Sequence, residues 1–151
     1  MLKHAKKNVE EIDLTKNEVK LNFVHQEDPL SFPAAVLATQ FDFIYSFDVF
    51  VHVDIHTLHR TLKQVGQILK PEGRMMLSVA NLCSEIGFAR FDKQKEFKVA
   101  GFYFMSPDII KKIVKQNGFT IVEIKYEGCD SGEAESKEKN IYYDRDIVLL
   151  I

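Results

Sequence analysis

His52, Asp54, His56 and His59 stand close together in the chain and are spaced by two, two and three residues. Histidines three or four apart can converge on one face of a helix, and such a face can hold a zinc ion. His52, however, precedes the expected start of the helix, and no cysteine lies near in sequence. No metal is therefore expected. Imidazole groups generally exchange protons close to neutral pH, which makes His52 a candidate acid or base facing a substrate. No Ser-His-Asp set and no paired carboxylates can be read.

Two further groups could bind a ligand. Ser46, Phe47 and Asp48 follow the short apolar run Phe41–Ser46, and ligands of open α/β sheets collect beyond the carboxyl ends of strands. The alternative for these three is a tight strand-to-helix connection with Asp48 solvated. Asp28, with Glu27 beside it, opens a loop ahead of Pro29, and here the alternative is a solvated loop carboxylate. The aromatic stretch from Phe88 to Phe104 reads either as a lid over a substrate or as a satellite core. Lys111, Lys112 and Lys115 read as the solvated face of a helix.

The elements that would carry these residues alternate. Residues 1–9 read as the end of a helix and 19–25 as a strand. Pro29 and Pro33 mark a loop. Phe41–Ser46 reads as a buried strand. Ile55, Leu58, Leu62, Val65 and Leu69 form one apolar stripe, which predicts a helix over 55–69 capped by Asp54 and stopped by Pro71 and Gly73. Residues 74–80 read as a buried strand and 81–105 as irregular. Ser106 and Pro107 predict a second helix start, with Ile109, Ile110, Ile113 and Val114 buried and Gly118 at the left-handed C-terminal position. Residues 119–126 read as a strand, 128–140 as a polar loop and 146–151 as a closing strand. Such alternation predicts an α/β fold with a mainly parallel sheet. The last two strands lack an intervening helix and should pair antiparallel.

Composition narrows the function classes. At 151 residues, 46% hydrophobic and 28% charged, the chain has room for one domain with one core. A formal net charge of -2 makes nucleic acid an unlikely partner. No apolar run approaches the length of a membrane span, and the charged N-terminus lacks the apolar region of a secretory signal. The two cysteines, Cys83 and Cys129, form no short-range motif, so a reducing cytoplasmic setting is the expectation.

The segment FDFIYSFDVFVHVD, followed by a helix and then LKPEGRMMLSV, resembles the middle of class I S-adenosylmethionine-dependent methyltransferases. Those domains carry an FD-apolar-apolar strand and an LKPGG turn, with Glu72 standing here for the usual first glycine. FYFMSPDIIKKIVKQNGFTIVEI and MLKHAKK look like further parts of that family. The resemblance implies a Rossmann-like sheet, S-adenosylmethionine as cofactor and a small-molecule methyl acceptor. It implies that Asp28 or Glu27 meets the adenine amino group and that Ser46, Phe47 and Asp48 contact the cofactor. It also places residue 1 just after the acidic residue that holds the ribose. All seven glycines lie at or beyond Gly66 and none forms G-x-G. The expectation is therefore a partial domain over 1–151 lacking the first strands and the glycine-rich loop, with doubtful cofactor affinity. The bare strand edge would favour a homodimer.

Overall fold

A computed structural model describes residues 20–28, 30–96, 101–126 and 145–151. Within these the chain forms α1 (Ala34–Leu37), β1 (Phe41–Ser46), a 3-10 turn (Phe50–His52), α2 (Ile55–Ile68) and β2 (Leu69–Asn81). Then follow α3 (Glu85–Lys93), β3 (Phe104–Met105), α4 (Pro107–Gln116), β4 (Glu123–Lys125) and β5 (Asp146–Leu150). The sheet runs β1-β2-β5-β4, with β3 continuing alongside the end of β2. β1 and β2 pair in parallel, and β5 runs antiparallel to both β2 and β4. The α/β class and the antiparallel closing strand are as the alternation predicts. The insertion of β5 between β2 and β4 is not legible from strand order.

α2 forms where its stripe requires it. Leu58, Leu62, Val65 and Ile68 are buried, while Ile55 at the first turn is exposed. Fully burying one such side chain stabilises by about 2 kcal/mol. Asp54 caps the helix, its Oδ1 accepting from the His56 and Thr57 amides at 2.9 and 3.1 Å. The Thr57 hydroxyl donates to its Oδ2, and these bonds hold the Asp54 carboxyl below its ordinary value. The helix ends at Ile68 rather than Leu69. β2 begins there, because Phe41 pairs with Leu69 and Phe43 with Arg74, so the LKPEG turn is absorbed as an irregularity in the ladder. In α4, Ser106 accepts from the Ile109 amide, and Ile110 and Val114 are buried; Ile109 itself is exposed. Gly118 has φ +83°, as a left-handed terminus requires.

Other expectations need correction. Of the strand expected over 19–25, the described residues 20–25 form no strand. β1 is not a buried strand: among the described residues β2 is its one strand neighbour, and Phe43 and Tyr45 are 53% and 63% exposed. The stretch 81–105 is not wholly irregular, since Ser84 caps α3 by accepting from the Gly87 amide at 3.0 Å. The strand expected over 119–126 is regular only from Glu123 to Lys125. Lys111 is half-buried and lies over the Tyr126 ring, so it is not simply solvated. The helix end over 1–9 and the loop over 128–140 fall outside the described residues.

Two glycines make opposite demands. A Cβ on Gly87 would stand 1.7 Å from the Asn81 carbonyl oxygen, so α3 can dock on β2 only with glycine there. Gly87→Ala should lower stability by about 1–3 kcal/mol. A Cβ on Gly66 within α2 would meet Phe119 at an ordinary 3.7 Å. Gly66→Ala should therefore raise stability by about 0.5–1 kcal/mol. Urea unfolding of both variants measures the two effects.

Candidate functional site at the carboxyl edge of the sheet

β1 delivers Ser46 to the carboxyl edge, and the chain then turns sharply at Asp48, whose φ of 56° lies in the left-handed region. Aspartate tolerates that conformation better than most residues. The buried Ser78 hydroxyl of β2 accepts from the Asp48 amide at 3.0 Å, which locks the turn to the sheet. Phe47 stacks on Tyr45 with centroids 6.1 Å apart. Ser46 lines a cleft of about 380 Å³. Its walls are Phe32, Ile44, Tyr45, Val49 and Phe50, with Thr57 and Thr61 of α2 opposite.

His52 follows in the 3-10 turn and is half-buried. Its Nδ1 lies 3.1 Å from the Gly101 carbonyl oxygen. A carbonyl can only accept, so Nδ1 carries the proton in the neutral ring and Nε2 keeps its lone pair. The Phe102 ring meets His52 edge-on at 4.9 Å.

β5 supplies what sequence reading missed. Asp146 is fully buried, and its carboxylate takes two bonds from Arg145, at 2.7 and 2.8 Å. Arg145 also donates to Asp48 at 2.6 Å, so one guanidinium joins the start of β5 to the loop after β1. Burial pushes the Asp146 carboxyl above its ordinary value, against the pull of the Arg145 bonds and charge. The Asp146 bonds raise the Arg145 pKa in turn. An acidic residue opening the otherwise apolar run DIVLLI was the available signal, since a carboxylate is rarely buried without a partner.

The other expected residues sit apart. Asp28 is exposed and its Oδ1 accepts from the Leu30 amide at 2.8 Å, so its carboxylate closes a local turn. Glu27 is exposed beside it. Gln26 rather than either acid reaches the cleft. Gln64 of α2 fixes this loop, accepting from the Phe32 amide and donating to the Leu30 carbonyl. His59 accepts from the Asn117 side-chain amide at 2.9 Å and His56 is exposed. Among the described residues no three metal-ligating side chains converge. No described helix is long and apolar enough to cross a membrane.

Residues 2–124 match the family described as a methyltransferase domain. The fold is similar to that of magnesium protoporphyrin IX methyltransferase from Synechocystis PCC 6803 with bound SAH. The TM-score is 0.63 at 15% identity, over 99% of this chain and 58% of that one. It is similar also to a S-adenosylmethionine-dependent methyltransferase from Clostridium acetobutylicum, at TM-score 0.62 and 15% identity over 99% and 69% of the two chains. A possible histamine N-methyltransferase from Thermotoga maritima gives 0.58 and 22% over 85% and 62%. At these identities the likeness establishes the Rossmann-like fold. No curated protein sequence matches.

Removing Arg145 tests the buried pair. Arg145→Leu strands a buried carboxylate and should cost about 3 kcal/mol at neutral pH. Because the Asp146 pKa is raised, its contribution is full below the ordinary value of 3.8 and is lost as pH rises through the raised value. Without Arg145 the Asp146 carboxyl is pushed up further, so the deficit against wild type should be small in acid and widen toward neutrality, as urea unfolding at several pH values will measure.

Proposed function

The chain belongs to the methyltransferase-domain family, and we propose that it transfers a methyl group from S-adenosylmethionine to a small-molecule acceptor. The observation that carries this reading is the convergence of Ser46, Asp48, His52, Arg145 and Asp146 at one edge of the sheet. S-adenosylmethionine when bound supplies an electrophilic methyl group on a cationic sulfur. The cleft beside Ser46 suits the adenosyl part, having apolar walls and hydroxyls at Ser46, Thr57 and Thr61 for a flat ring with polar edges. Asp48 and the Tyr45–Phe47 pair give the cation a carboxylate and aromatic faces. Phe47 follows the lining residue Ser46 directly, and Glu27 and Asp28 follow Gln26, which lines the same cleft.

His52 is the acid or base. Its Nδ1–H is held by Gly101, so Nε2 takes the proton that an acceptor hydroxyl or amine must lose. Asp48, fixed by Ser78 and Arg145, positions the loop that carries both. An exposed thiol at Cys83 supports a reducing, cytoplasmic setting.

A second reading is favoured by the edge position of β1. Among the described residues β2 is its one strand neighbour, and Phe43 and Tyr45 stand exposed. A second copy could pair there, giving a non-catalytic homodimer.

Calorimetric titration with S-adenosylhomocysteine, alongside light scattering, separates the two. Micromolar binding supports methyl transfer, and His52→Ala should then lower kcat by about 10²–10⁴ while leaving that binding within about twofold. No binding at millimolar ligand with a dimeric mass supports the second reading. A strict monomer at high concentration removes it.

A further inference from the structure

Beyond His52 lies a group of rings that the reading above does not use. Phe102 is buried against His52, and Phe104, Phe91 and Phe88 continue from it with centroids 5.5–5.9 Å apart. The outer end is open to solvent, Phe88 being 56% and Phe91 46% exposed. The inner end is rigid. The Gln94 side chain accepts from the Phe102 amide at 2.7 Å and donates to its carbonyl at 3.1 Å. The Tyr103 amide donates to the Val51 carbonyl, and Gly101 is held by His52. Every backbone group around Phe102 that these bonds reach is therefore fixed.

Two guanidinium groups lie over this ring, Arg145 at 5.0 Å and Arg90 at 4.8 Å from its centroid. Arg145 is neutralised by Asp146 and Asp48. Arg90 is exposed, and among the described residues no carboxylate lies within salt-bridge distance of it. Stacking occupies the face of a guanidinium and leaves its in-plane N–H fork available, the geometry that reads a carboxylate in two bonds.

We propose that Arg90, with the Phe88–Phe91–Phe102 rings, is a recognition site for a carboxylate carrying a flat apolar body, and that this class of molecule is the methyl acceptor. The body lies on the exposed rings, the carboxylate meets Arg90, and the nucleophile reaches toward His52. The role as acceptor site rests on the methyl-transfer reading; the binding does not.

The test uses two fluorescent probes of one shape, 2-naphthoate and neutral 2-naphthamide, titrated into the full chain without methyl donor. Wild type should bind the carboxylate about fivefold tighter, the upper worth of an ion pair at an exposed site. Arg90→Gln should bring the two probes within about twofold, while Lys93→Gln, which removes another cation from the last turn of the same helix, should keep the preference. Phe91→Ala should weaken both probes alike. Equal affinities in wild type, a preference surviving Arg90→Gln, or no naphthoate binding at millimolar concentration overturns the proposal. Naphthoate discrimination without S-adenosylhomocysteine binding keeps the carboxylate site and discards the transfer reading; the converse does the reverse.

Discussion

The structure depends on the second half of β2. From Met75 to Asn81 only Met76 keeps appreciable exposure, so both faces must be covered and both sides must find ladder partners. A buried amide or carbonyl without a partner costs as much as a lost hydrogen bond. β1 supplies the partners on one side and β5 on the other, while α2 and α4 pack onto the strands through Leu58, Leu62, Ile110 and Val114. The antiparallel direction of β5 then follows into function. It starts, rather than ends, at the carboxyl edge, so its first residue Asp146 and the preceding Arg145 arrive beside the loop after β1.

Side chains, not regular structure, hold the loops of the site. Gln64 bonds an amide and a carbonyl of the loop at 30–32, and Gln94 does the same for Phe102. Ser78 holds Asp48 from within the sheet. A carboxamide both donates and accepts, so it stands in for a neighbouring strand where none exists. The buried Arg145–Asp146 pair acts similarly but is costly. Desolvating two charges roughly cancels their attraction, which makes the pair weak evidence of stability and better evidence of a fixed arrangement.

Expectations failed where burial was inferred from composition alone. β1 is apolar at Phe41, Phe43, Ile44 and Tyr45, and such a run reads as buried; in the fold Phe43 and Tyr45 stand in solvent. α3 was hidden because Gly87 weakens helical propensity and the helix is short, with Phe88 and Phe91 exposed and no buried apolar stripe to mark it. Only the close approach to Asn81 explains that glycine. Asp28 illustrates the limit for sites. An acid opening a loop has the right chemistry, and only the fold shows that its Oδ1 accepts from the Leu30 amide and that Gln26 lines the cleft beside it.

What the sequence by itself determined is local: α2 and α4 with their caps, the left-handed Gly118, the alternation that makes the sheet α/β, and Ser46 to Asp48 at its carboxyl edge. These follow from periodicity and backbone chemistry within a few residues, which a linear reading sees. Tertiary structure alone decided which strand neighbours which, that among the described residues β1 pairs on one side only, and that Arg145 reaches Asp48 across 97 positions of chain. It also fixed the tautomer of His52 through Gly101, 49 residues away. Those facts depend on pairings between distant segments, and a pairing has no signature in either segment read alone.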